Sequence, residues 1–185
     1  MDVDFNKKNL LYTQVKENYG RVIYSYTSQM KMVEILSKRS GAFKILQIVI
    51  SALSGSALFS LIFASSKHVA IIGTILSIVL VIISSISRTF MFQERINMHQ
   101  KAHDSYWLIK EEYISLVTDF DLLEDSEIRK KRDELIMRTD FINKTYPKTT
   151  KKAYEMAKKA LIEEEEQTFN PGEIDNMLPQ KQLKK

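Results

Sequence analysis

Between Ile45 and Ser87 the chain carries two uncharged, mostly apolar runs separated only by Lys67 and His68, and no other stretch restricts the fold as strongly. The first, Ile45 to Ser66, covers roughly 22 residues, and a helix of that length reaches about 33 Å, enough for a bilayer core of about 30 Å. The second, Val69 to Ser87, is roughly 19 residues and nearly matches it. Lys44, Lys67 and Arg88 bound them. Uncharged runs of about 18 residues or more mark membrane helices, and two in succession predict a transmembrane hairpin. A signal peptide would lie at the N-terminus with a shorter apolar region, whereas about 40 polar and amphipathic residues precede Ile45. A buried hairpin of a soluble bundle is the competing reading, and it needs enough amphipathic helix to cover two fully apolar ones.

The 185 residues suit one domain, and the mean hydropathy of −0.20 hides the two runs by averaging them with charged flanks. Cysteine is absent, which excludes a disulfide framework and a thiolate metal site. Five glycines and three prolines favour long helices over a strand-and-turn fold. The net charge is +4, of which residues 1–44 hold +4, Lys67 holds +1 and residues 88–185 hold −1. Lys38, Arg39 and Lys44 crowd one end of the first run, and Arg88, Arg95 and Lys101 follow the second. The positive-inside rule then places both termini in the cytoplasm and the Ser65 to His68 turn outside. A basic balance explained by a membrane surface needs no nucleic acid as partner.

From Asn9 to Ser40, Val15, Tyr19, Val22, Tyr26, Val33 and Leu36 recur at helical steps, with Gln29 in the slot between Tyr26 and Val33. Gly20 weakens such a helix by about 1 kcal/mol relative to Ala, without stopping it. Gly41 is the expected bend where this segment meets the membrane. Beyond the second run, Phe92, Ile96, His99, Ala102, Tyr106, Ile109, Tyr113, Leu116, Phe120 and Leu123 follow a near-heptad pattern, which predicts one rod continuous with the second span. A short turn makes the two amphipathic segments antiparallel neighbours. Their stripes are expected to cover each other, or the same stripes of another subunit.

Asp125 or Ser126 is the expected N-cap of a helix from Glu127 to about Asn143, and Thr149 or Thr150 of one from Lys151 to about Gln167. In the latter, lysines come early and Glu163 to Glu166 late, against the helix dipole, so its end should fray or be held by another chain. The expected plan is an all-α membrane protein. It comprises a cytoplasmic N-terminal helix (1–44), spans at 45–66 and 69–87 around an external turn (67–68), a long cytoplasmic helix (88–125), short C-terminal helices (126–169) and a mobile tail (170–185).

The motifs that mark catalysis, phosphate loops, nucleophile elbows and zinc sites, are missing, so no catalytic, cofactor or metal residues are expected. His99 and His103 stand four apart, but His99 lies on the apolar seam, where packing or a hydrogen bond is the simpler role than a metal. The small residues of the spans are more informative. Ser51 with Gly55, Ser56 with Ser60, and Gly73 with Ser77 are small-xxx-small pairs, and Ser84 adds a hydroxyl to the second span. They pack the hairpin against itself and its copies, or their hydroxyls line a path for water and ions in an oligomer. Neither span holds a formal charge, so a proton relay or voltage sensor lacks its usual ingredient.

This order of parts, from Asn9 to Leu123, resembles the SLATT domains, the SMODS- and SLOG-associating two-transmembrane effectors of bacterial conflict systems. The run Glu94, Arg95, His99, Ala102, Tyr106 after the second span is similar to that family's pattern. The resemblance implies an effector without enzymatic activity, encoded beside a separate sensor protein. On infection it would oligomerise and permeabilise the bacterial inner membrane, an abortive antiviral defence. Unlike the fused members, this chain shows no recognisable nucleotide-sensing domain, which leaves direct nucleotide binding or control by a partner as routes of activation. The alternative is a membrane anchor whose cytoplasmic helices recruit a soluble enzyme.

Overall fold

The structure, a computed structural model, describes residues 2–63 and 67–177, with side chains for residues 7–55, 68–69 and 71–177. All regular structure among the described residues is helical.

Helix α1 (Asp2–Phe63) sets the frame. It is a single element of 62 residues, about 93 Å long at about 1.5 Å per residue. Gly41 does not interrupt it. A lone glycine weakens a helix only by about 1 kcal/mol, and α1 is packed on both sides of it, against α3 before and α2 after. Helix α2 (Lys67–Thr89) returns along the C-terminal part of α1. Lys67 and His68, expected in the turn, form the start of α2, whereas Ser65 and Ser66 lie outside the described residues.

Helix α3 (Phe92–Thr118) is a separate element, so the expected continuous rod is broken. The interruption falls at Phe90 and Met91, where Met91 takes φ 43°, ψ 44° and its N–H bonds to the Arg88 carbonyl at 3.2 Å. No glycine or proline marks the spot. A left-handed conformation at a non-glycine residue costs about 1–2 kcal/mol. It is offset by what the break places: Phe92 turns into the core, 5.5 Å from the Phe43 ring, while Phe90 stays half-exposed and stacks on Phe92 at 5.7 Å.

α1 and α3 run antiparallel, as their ring contacts show from end to end: Tyr12 with Phe120 at 4.8 Å, Tyr26 with His103 at 4.0 Å, and Phe43 with Phe92. Helix α4 (Asp125–Thr145) folds back on α3, with Arg138 Nη1 donating to both Glu112 carboxylate oxygens (2.6 and 2.8 Å). Its N-cap is Glu124, one residue before the expected position, in a reciprocal capping box with Glu127. Helix α5 (Lys151–Ile162) is capped as expected by Thr150, whose Oγ1 accepts from the Ala153 N–H at 3.3 Å. It lays Ala153, Ala157 and Ala160, all fully buried, against its neighbours. It ends at Ile162 rather than near Gln167, with Glu163 as its C-cap, so the acidic run leaves the helix at the end where the dipole disfavours it. Glu166 instead pairs with Lys31 of α1 at 2.8 Å. A short helix α6 (Glu173–Met177) occupies part of the expected tail, and residues 178–185 lie outside the described residues.

The main core gathers Leu11, Val15 and Val22 of α1, Ala102, Tyr106, Ile109, Tyr113 and Leu116 of α3, Phe120, and Ile128, Leu135 and Ile142 of α4. A second cluster joins Met32 and Leu36 to Phe92 and Ala153, nearer the α1–α2 end. This packed head accounts for α1 up to about Phe43.

Candidate membrane interface and polar junction

Past Phe43 the burial pattern reverses. Ile45, Ile48, Val49 and Leu53 of α1 and Ile71, Ile72, Ile75, Ile78, Val81 and Ile82 of α2 are exposed, several by more than half of their surface. A contiguous apolar surface of this extent is unstable in water and stable in lipid. Among the described residues one stretch, Ile71–Thr118, contains a window apolar enough to cross a membrane, with a mean hydropathy of 2.2 and 6 % of it buried.

Three polar side chains of this region, Gln47, Ser54 and Ser84, are withdrawn from the exposed surface. Gln47 Nε2 donates to Ser84 Oγ at 3.1 Å, joining α1 to α2. Ser54 is buried at 6 % exposure, and Gly73 is buried on the facing helix. In lipid an amide has no water to bond, so a Gln in an apolar run is satisfied by a neighbouring helix. Of the expected small-residue sites, Gly73 and Ser84 sit in or beside the contact. Ser51 is exposed, and Ser77 is exposed with its Oγ donating to the Gly73 carbonyl at 2.9 Å. Gly55 is half-buried with no atom within 4 Å of where a Cβ would stand, so it serves no close approach among the described residues. The Ser56 and Ser60 side chains lie outside the described ones.

The seam residues are placed inside the head. His99, Tyr106, Ile109, Tyr113 and Leu116 are buried, and Ile96 packs half-buried on the second cluster. Their partners are α1 and α4 of the same chain, one of the two alternatives the pattern leaves open.

At the centre of the α1–α3 contact lies a polar junction. His99, with no exposed surface, places Nδ1 2.5 Å from Gln29 Oε1. An amide oxygen only accepts, so Nδ1 carries the proton and donates. Gln29, itself 6 % exposed, donates from Nε2 to the Pro147 carbonyl at 3.4 Å, tying in the α4–α5 connection. His99 Nε2 has no hydrogen-bond partner among the described residues. Burial, helped by the Arg95 charge, holds the imidazole below its ordinary value of 6.5 and so neutral. One turn on, His103 Nδ1 donates to the Tyr26 carbonyl at 3.1 Å and stacks on the Tyr26 ring. The two histidines therefore serve different contacts. Tyr106 donates to Asn143 Oδ1 at 2.8 Å, and burial raises its hydroxyl pKa; burial pushes that of Tyr113 up to about 12. The Gln29–His99 bond was not legible as a pair, although both residues appear in the sequence as polar interruptions at seam positions.

An all-helical head carried on apolar helices that face outward defines a membrane-associated protein. The sequence matches the SMODS and SLOG-associating 2TM effector domain family 4 over residues 11–173, and the chain belongs to that family. It is accordingly a membrane effector of conflict systems. Neither the curated proteins nor the solved structures yield a match to it.

Proposed function

We propose that the C-terminal part of α1 and the whole of α2 cross the bacterial inner membrane as a hairpin with both termini cytoplasmic, and that several copies assemble into a pore that depolarises the membrane when triggered. The observation that carries this reading is the reversal of burial at Phe43, with apolar residues outward and Gln47, Ser84 and Gly73 at the contact. The cations Lys44 and Arg88 at the boundary support the cytoplasmic placement of the head. One hairpin encloses nothing, so conduction requires assembly. Because the heptad seam is used within the chain, assembly falls to other surfaces: the exposed Leu108, Met137 and Phe141 on α3 and α4, and Ser51 and Ser77 on the outer faces of the spans. No enzymatic step is invoked, and control by a separate sensor protein completes the reading.

The exposed Leu108, Met137 and Phe141 also favour a second reading, a membrane anchor that recruits a soluble protein through its head. Replacing both spans by unrelated leucine-rich helices separates the two. In cells expressing the genomic neighbours and their trigger, a pore loses its effect on membrane potential and growth, whereas an anchor keeps its effect. If the unmodified protein leaves potential and growth untouched under those conditions, the pore is excluded.

A further inference from the structure

Beside the polar junction, α1, α4 and the α4–α5 connection enclose a cleft of about 830 Å³ that the membrane role does not use. That volume lies in the range of sites for small organic ligands, about 300–1,000 Å³. Its walls differ in chemistry. Tyr24 and Tyr154 stack on each other at 5.5 Å between α1 and α5, and Tyr146 adds a third ring. Arg21 and Lys148 bring two cations against the single carboxylate of Glu17. The Arg21–Glu17 pair is loose, 3.7 Å apart and largely exposed, so the guanidinium is free to take another anion.

Two further observations point to an occupant. Ser28 lines the cleft at 2 % exposure, and its Oγ has no hydrogen-bond partner among the described residues. A buried hydroxyl left in this way calls for a partner, and a water or a ligand group reaching the depth of the cleft supplies one. Gly20 lies in the same wall, in the interior of α1, and a Cβ there would meet no atom within 4 Å. Neither a tight helix crossing nor a positive φ calls for glycine here. Its effect is to leave the cleft wider than any other residue would.

We propose that this cleft binds a small anionic molecule bearing a planar ring, with the tyrosines taking the ring, Arg21 and Lys148 the anion, and Ser28 a polar group at depth. The site is independent of whether the spans conduct.

The test is calorimetric titration of the full chain in detergent with 1-naphthyl phosphate, 1-naphthoate and adenosine 5′-monophosphate, beside inorganic phosphate and naphthalene-free buffer. Ring-bearing anions are expected to bind at least tenfold more tightly than inorganic phosphate, and the phosphate and carboxylate arms show which anion is preferred. Gly20→Leu fills the cleft from a position with room for it, so it should keep or raise the melting temperature while abolishing binding. Arg21→Ala, at an exposed position, should weaken binding at least fivefold. The proposal is overturned if no ring-bearing anion binds the unmodified chain, or if Gly20→Leu binds as the unmodified chain does.

Discussion

Residues 11–36 and 45–54 lie on the same unbroken helix and bury opposite kinds of side chain. In the first segment Leu11, Val15, Val22, Met32 and Leu36 are inside; in the second, Ile45, Ile48, Val49 and Leu53 are outside while Gln47 and Ser54 turn toward α2. Ile50, buried where α1 meets α2, departs from this pattern in the second segment, as the buried Thr27, Ser28 and Gln29 do in the first. Backbone propensity does not distinguish the segments, since both are helix. What differs is the solvent each expects: water rewards a hidden apolar stripe, and lipid rewards a hidden polar one.

Charge placed in the two segments should therefore fail in different ways. Ile109→Asp or Leu116→Asp puts a carboxylate into the apolar core, and should cost the head about 3–5 kcal/mol, read as collapse of the thermal transition and rapid proteolysis. The head is lost before any question of subunit count arises. Ile75→Asp, at an outward position, should leave the head's melting curve intact in detergent yet oppose insertion by about 2.5–3.5 kcal/mol, measured as the fraction resisting carbonate extraction. A head that melts early in the Ile75 variant would end the distinction.

The polar junction sharpens the contrast, because it hides polar groups inside the water-facing half. Gln29→Ala strands the His99 N–H and should destabilise the head by about 1–3 kcal/mol in denaturant titrations. Adding His99→Leu to it should recover part of the loss, and strictly additive effects would show the pair uncoupled. Met91→Gly should stabilise by about 1 kcal/mol, since glycine takes the left-handed conformation without penalty.

His99 gives the smallest effect. Its pKa is lowered in the fold, so below about 6.5 the unfolded chain binds a proton there that the folded chain resists. Stability from this group is complete above that pH and declines as the pH falls toward the folded value. Comparing the chain with His99→Gln between pH 7.5 and 5.5 should show the steeper decline in the unmodified protein, and parallel curves would remove His99 from the account.

Much of the head was legible because a helical stripe leaves a period. His99, Ala102, Tyr106, Ile109, Tyr113, Leu116 and Phe120 are all buried, and so are Val15, Val22 and Leu36 opposite them. The Met91 break was not legible, since it arises from a tertiary demand, Phe92 reaching Phe43, with no local breaker. The docking of α5 does leave a signal in the sequence: Ala153, Ala157 and Ala160 form a small-residue ridge in an otherwise charged helix. The cleft is a third case. Its walls come from residues more than a hundred positions apart, such as Arg21 and Lys148, and no spacing in the sequence joins them.

The two connections between the head and the apolar helices are mechanically unequal. α1 crosses the boundary at Gly41 as an uninterrupted strut, whereas the return path is jointed at Phe90 and Met91. Torque applied to the head end of α1 passes down its axis with every i to i−4 hydrogen bond in series. The same torque on α3 is absorbed at the elbow. A rearrangement that leaves these helices whole therefore has a pivot at the elbow and none where α1 crosses the boundary, so that α2 swings beside a post.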